Sequence, residues 1–363
     1  MRIDHLATEL LLHVFRSCDS VSDVLNLSAI CRRLHHVLNS TSKLHILARV
    51  AETEFGPLED IIQVVTQNES QPAHFIRRVP MSDFLLKQVI QLGQVAQKWE
   101  TIYPFKKWKV DFENRRSLTD EERLRLRRAV YRLWLYHSAF HSRVYDRHSR
   151  SLRHVVLERA QLLHNWSTQE LAEIEDLRLV MGDIVQNHIC PSNVTIQRKF
   201  RKRYPDSSQQ LSFNIHLNYP PQSTTSLSLQ NNPFLQNGPD TSIQQYFHTA
   251  NPSNYAESPA KYRSRFRNDL SHDPGYEGWG DEIPHYYIIQ DMLKLDPGQI
   301  LWLRDHALLK EQVEEYVWSL GEWFRNNGET FGDTLEYVMN ERGLEVGEFR
   351  SAVAAREMGV ILN

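Results

Sequence analysis

The sequence predicts a mainly α fold: an N-terminal three-helix module, a non-repeating helical domain behind it, and a long flexible insertion. Three observations carry this expectation. Apolar residues recur three and four apart over most of the chain, the spacing that lays one stripe along a helix. Helix start signals precede several stripes, two of them in capping-box form. Strict alternation, the mark of a strand, is confined to one stretch, Leu211 to Tyr219.

Taken in order, a first short helix is expected from Ala7 to Phe15. Ser22 is read as the N-cap of a second, around Asp23 to Leu27. A third runs from about Ala29 to Leu38 and stops at Ser40-Thr41-Ser42. Leu44, Leu47 and Ala51 then recur at helical spacing up to Gly56-Pro57. From the N-cap Ser82, a stripe runs through Leu85, Val89, Leu92, Ala96 and Trp99. Thr119 and Glu122 form a capping box ahead of Leu126, Val130, Leu133, His137 and Phe140. Ser167 and Glu170 repeat it ahead of Leu171, Ile174, Leu177, Met181 and Ile184, with Trp166 and Leu171 placed for a hydrophobic staple. Residues 1–45 therefore read as the N-terminal module and 46–203 as a helical domain.

From residue 204 to 260 the texture changes. The segment holds no Lys or Arg, only the acids Asp206, Asp240 and Glu257, and a surplus of Ser, Thr, Asn, Gln and Pro. Such a composition buries too little apolar surface to offset its ordering entropy, so a flexible insertion or linker is expected, with 211–219 the one piece suited to a strand. Residues 261–363 are expected to be helical again and to pack on 46–203. Asp296-Pro297 suits an N-cap with a first-turn proline. Leu309, Val313, Tyr316, Leu320 and Trp323 read as one helix ending near Asn326-Asn327-Gly328. Leu335, Val338 and Met339 mark another, closed by Gly343, and a last one covers Phe349 to Met358.

Bulk properties exclude some function classes. At 363 residues the chain exceeds one usual core, and its net charge of −3 points to neither nucleic acid nor membrane. No apolar run approaches the roughly 18 residues that span a bilayer. Asp4, His5, Glu9 and His13 interrupt the N-terminal apolar residues, so no secretory leader is expected. The three cysteines Cys18, Cys31 and Cys190 are sparse and odd in number, which fits an intracellular protein, cytoplasmic or nuclear. Charge is unevenly placed. Residues 106–153 carry 14 Lys/Arg against 6 Asp/Glu, and residues 273–349 carry 5 against 17. Opposite fields of net +8 and −12 favour docking of the two stretches.

The opening stretch raises its own problem. Leu6, Leu10, Leu11, Val14, Phe15, Leu25 and Leu27 are more apolar side chains than three such short helices can hide from one another. An exposed apolar patch commonly marks a protein interface. Leu6, Glu9, Leu10, Leu11, Val14 and Phe15, then Asp23, Val24, Leu25 and Leu27, then Ile30, Cys31, Arg32 and Leu34 follow a known pattern. On these residues the first 45 positions resemble the F-box, the three-helix module that binds the Skp adaptor of cullin–RING ubiquitin ligases. Ala7 replaces the family's proline, and Cys18-Asp-Ser-Val-Ser stands where a leucine and a shorter turn are usual. The resemblance implies that Leu6, Glu9, Leu10, Leu11, Val14, Phe15, Leu25, Leu27, Ile30, Cys31 and Leu34 contact the adaptor, and through it cullin and RING subunits. Among them Leu10, Leu11, Phe15 and Leu25 are the expected hot spots. The remainder would hold an unknown protein substrate. The stretch from Gly278 to Leu303 is similar to stretches in uncharacterised fungal F-box proteins. A scaffold that binds the adaptor without degrading anything is the alternative, and a helical nucleic-acid-binding protein a further one.

No residue set points to bond chemistry, so no catalytic residue, metal or cofactor is expected. His137 and His141 lie four apart on one helix, a spacing able to chelate, but they lack an intervening acid or a third ligand and read as core or boundary histidines. His188 and Cys190 form no ligand set with distant Cys18 and Cys31. There is no phosphate-cradling glycine loop. Basic runs with aromatics, Arg198–Tyr204 and Lys261–Arg267, flank the insertion and read as solvated charge. Trp279, between Gly278 and Gly280, is the tryptophan expected to be exposed and target-binding.

Overall fold

A computed structural model describes residues 6–40, 43–145, 149–191, 195, 202 and 289–362. The insertion 204–260, its alternating stretch 211–219 and Trp279 lie outside these. Among the described residues all regular structure is helical, so the mainly α class holds. The N-terminal part comprises α1 (Thr8–Arg16), α2 (Val21–Ala29), α3 (Arg32–Leu38), α4 (Lys43–Phe55) and α5 (Leu58–Val65). The long helices α6 (Asp83–Lys107), α7 (Asp120–Phe140), α8 (Arg153–His164) and α9 (Thr168–Ile184) follow, and α9 runs into a π-helical turn at Val185–Ile189. After residue 289 come α10 (Pro297–His306), α11 (Lys310–Ser319), α12 (Glu322–Asn326), α13 (Phe331–Glu341) and α14 (Val346–Ala354).

Helix α7 is the centre. Its stripe residues Leu126, Val130, Leu133, His137 and Phe140 are buried, and so are Ala129, Tyr131, Leu135 and Tyr136 on its other sides. A helix buried nearly all round must be surrounded, and α5, α6 and α9 pack against it. Both predicted capping boxes form: Thr119 Oγ1 accepts the Glu122 N–H at 3.3 Å, and Ser167 Oγ accepts the Glu170 N–H at 3.2 Å. Helix α6 begins at the predicted Ser82 cap and passes so near the end of α4 that a Cβ on Gly93 would lie 2.3 Å from the Phe55 ring. Only glycine fits there.

Several boundaries differ from expectation, each for a physical reason. The cap of α2 is Ser20, not Ser22: Ser20 Oγ accepts the Asp23 N–H at 3.0 Å, which places Ser22 inside the first turn. Helix α3 starts at Arg32 rather than near Ala29, because Ile30 and Cys31 make the reversal. Gly56-Pro57 ends α4 but also opens α5, with Pro57 at the N-cap and Leu58, Ile61 and Val64 buried below it. Helix α8, which buries Val155, Ala160, Leu162 and Leu163, was likewise not anticipated. The single helix expected over 309–323 is two, broken at Gly321 with φ 85°. Of its expected stripe only Val313 is buried; Tyr316, Leu320 and Trp323 are half-buried and Leu309 is exposed.

The C-terminal helices meet α7 and α8 through a buried polar seam. His137 Nδ1 donates to Leu295 O (2.8 Å) and His141 Nδ1 to Lys294 O (3.0 Å). The Tyr136 hydroxyl lies 3.0 Å from Thr330 Oγ1 and 2.9 Å from Thr334 Oγ1. Asn327 Nδ2 reaches the carbonyls of Phe140, Ser142 and Tyr145, at 3.1, 3.2 and 3.1 Å, where α7 ends. Lys294, fully buried, donates to Asn327 O (2.7 Å) and Phe324 O and stands over the Phe324 ring. Phe331, Leu335, Val338 and Met339 of α13 supply the apolar part.

The two stretches do meet, but among the described residues few ion pairs join them. Arg150 pairs with Asp333 across the seam (2.9 Å). Other cations of 106–153 pair nearer home: Arg128 with Glu173 (2.6 Å), Arg132 with Glu170 (2.8 Å), Lys106 with Asp183 (2.8 Å), Lys107 with Asp176 (2.6 Å), and Arg127 with Glu100. The field expectation summed charges without knowing which carboxylates of 60–183 would neutralise them.

Candidate functional site

Helix α1 divides its leucines between two rows. Leu11 and Phe15, four apart, are wholly buried. Leu6, Leu10 and Val14, also four apart, run along the neighbouring flank, with Leu10 52% exposed and the other two half-buried. Helix α2 does the same: Val21, Val24 and Ser28 point inward while Leu25 is 47% exposed. In the reversal after α2, Ile30 is 68% exposed, with Leu27 and Cys31 half-buried beside it in sequence. Glu9 is exposed.

The inward set is sealed by the chain itself. Helix α3 contributes Leu34, Val37 and Leu38, and α4 contributes Ile46, Leu47 and Val50, to a core that closes over Leu11 and Phe15. Polar ties hold the unit in register: the Val21 N–H donates to Glu54 Oε2 of α4 (2.8 Å), and Arg33 Nη2 donates to Leu6 O (2.7 Å). Leu11, Phe15 and Leu34 were expected among the partner contacts and, for the first two, among the hot spots. Having no exposed surface, they cannot be touched; they support the face and do not form it. The outward residues left are Glu9, Leu10, Leu25 and Ile30, edged by Leu6, Val14, Leu27 and Cys31. The spacing alone contained this division, since two rows four apart but one residue out of step face different directions; it could not say which row α4 would cover.

Other candidates resolve differently. His137 and His141 stand side by side, ring centroids 4.8 Å apart, both buried. Burial pushes His141 down to about 3, with the Lys294 ammonium adding to it, and holds His137 well below the usual imidazole range, His141 adding there. Both are therefore neutral at physiological pH and serve the seam as hydrogen-bond donors. Among the described residues no group of three or more His, Cys, Asp and Glu is placed to hold a metal ion. Cys190 is buried in the core behind the π-helical turn. Among the described residues no helix is long and apolar enough to cross a membrane.

The tryptophans also sort themselves. Trp99, Trp108 and Trp166 are buried, and Trp134 and Trp323 are half-buried. Trp302 and Trp318, which fall on none of the stripes named from the sequence, are 45% and 53% exposed. Comparison of the chain with protein-family models, curated proteins and solved structures finds no match.

Proposed function

We propose that the chain is a substrate-recognition adaptor of an SCF-type ubiquitin ligase. Its N-terminal unit would hold the Skp adaptor, and through it cullin and RING subunits, while the helices behind it hold a target protein. The observation that carries this reading is the outward placement of Leu10, Leu25 and Ile30 on a three-helix unit whose inward row is already satisfied by α3 and α4. Covering each of these half-exposed side chains is worth on the order of 1 kcal/mol. An adaptor that covered all of them, with Glu9 at the rim, would gain from a centre of few strong contacts. Such a protein performs no bond chemistry. Tethering would raise the effective concentration of target lysines near the ubiquitin-carrying enzyme.

Purified Skp adaptor mixed with the full chain tests it. A one-to-one complex on size exclusion is expected; two separate peaks at micromolar concentrations would sink the proposal. Co-purification of cullin with that complex separates a ligase subunit from a scaffold, since the scaffold alternative holds the adaptor without cullin.

A further inference from the structure

The turn between α6 and α7 is fixed from within and apolar without. Trp108 is its buried anchor, with the Arg116 guanidinium 5.3 Å from the centre of the indole and paired to Glu122 at 2.6 Å. Asp111 accepts from Arg356, just beyond α14 (3.2 Å), and from the Asn114 amide (2.9 Å). Around these ties the large apolar side chains face out: Phe105 is 61% exposed, Val110 89% and Phe112 68%. Phe105 and Phe112 belong to one patch, because the Arg115 guanidinium carbon lies over both rings, 5.2 and 4.9 Å from their centroids. Among the described residues no carboxylate matches Arg115. Its Nη2 donates to Trp108 O (3.1 Å), its Nε is buried without a partner, and its Nη1, which is not buried, makes no hydrogen bond. Neighbouring cations are matched, Lys107 by Asp176 and Arg128 by Glu173.

We propose that Phe105, Phe112 and Arg115 form a docking surface for a short segment of a partner protein that carries a carboxylate between apolar side chains. The carboxylate meets the open edge of Arg115 in a charge-assisted hydrogen bond, and the flanking apolar groups cover the two rings. Because the turn is already held by Trp108, Asp111 and Arg116, little ordering is left to be done on binding. The same observations disfavour other occupants. A second copy would bring one unmatched guanidinium to another. An anionic bilayer or a nucleic acid gains from many cations, whereas this patch offers one, with the exposed acid Glu113 next to Phe112. The place is also clear of the N-terminal unit. Helix α4 accompanies α6 from the Lys43–Asp83 pair (3.6 Å) to the contact of Phe55 with Gly93, and Phe105 lies about 18 Å further along α6 at 1.5 Å per residue. The inference deepens the adaptor proposal by naming the chemistry of its target, and it rests on that proposal only for calling the bound partner a target.

Fluorescence anisotropy of a labelled dodecapeptide, Glu-Leu-Phe-Asp repeated three times, titrated with the full chain, is the test. Saturable binding is expected, together with none for the peptide carrying lysine at every acidic position. Phe105→Ala with Phe112→Ala, and separately Arg115→Gln, should each weaken binding about tenfold or more while leaving the thermal melt and Skp-adaptor capture unchanged. The Leu10→Asp, Leu25→Asp variant should bind the peptide like wild type, which keeps failure of this inference apart from failure of the adaptor proposal. No saturable binding by wild type, equal binding by the patch variants, or equal binding of the lysine peptide would overturn it. So would capture by phosphatidylserine vesicles that the double phenylalanine variant loses, because the occupant would then be a membrane surface. Peptide binding that emerges only after Glu277→Lys, Asp281→Lys and Glu282→Lys would overturn it too, because the occupant would then be this chain's own acidic stretch.

Discussion

The N-terminal unit and the C-terminal seam are both assembled from short helices against a longer one, but they are held by different means. At α1–α4 the inside is hydrocarbon: Leu11, Phe15, Val24, Leu34, Leu38 and Leu47, with a few polar ties at the edge. At the seam, hydrogen bonds of His137, His141, Tyr136, Thr330, Thr334, Lys294 and Asn327 are buried together with Phe331 and Leu335. Apolar burial is non-directional, so the first unit can spare a second row of leucines for its outer surface without losing its own order. Buried polar groups must be satisfied one by one, so the seam has a single arrangement and no comparable freedom.

The sharpest way to break this contrast is at Phe15. Phe15→Ala removes a wholly buried ring and should cost about 3–5 kcal/mol, seen as a fall in the denaturant midpoint of the N-terminal unit. A cost near zero would mean that the inward row does not hold the unit together.

A smaller effect is expected at the seam and depends on pH. The His141 imidazole titrates near 6.5 when unfolded and is pushed down to about 3 when folded. Between those values the unfolded chain binds the extra proton, so this contribution to stability is complete above about pH 6.5 and is lost as pH falls through that window. At pH 5.5 the loss is about 1.4 kcal/mol for one such histidine. His141→Gln retains an amide donor for Lys294 O but no longer titrates. The drop in stability between pH 7.5 and pH 5.5 should therefore be about 1.4 kcal/mol smaller in the variant than in wild type. Parallel pH profiles would show that His141 is not buried neutral.

Much of the fold was legible where local chemistry decides. The capping boxes at Thr119 and Ser167 and the Asp296-Pro297 start, where Asp296 Oδ1 accepts the Gln299 N–H at 2.8 Å, need no tertiary information. The same holds for Gly343, whose φ of 71° closes α13. What could not be read depended on neighbours distant in sequence. Ser20 and Ser22 are equally good caps until the helix register is known. Pro57 stops one helix and starts the next, and periodicity alone recorded only the stop. The stripe of 309–323 was a correct reading of spacing, but Gly321 turns the chain before Trp323 could join Val313. At the candidate site, the residue types were legible and their direction was not. Leu10 and Leu11 are adjacent in sequence, yet the core formed with α3 and α4 closes over one and leaves the other to solvent.

That partition is also the smallest effect expected on stability and the largest on binding. Leu10→Asp with Leu25→Asp changes two outward side chains, so the melt should stay within about 0.5 kcal/mol of wild type. Titration calorimetry of purified Skp adaptor into wild type and this double variant is the most direct measurement. Saturable heat for wild type and none for an equally stable variant is the expected result; equal affinity for both would contradict the assignment of this face to the adaptor.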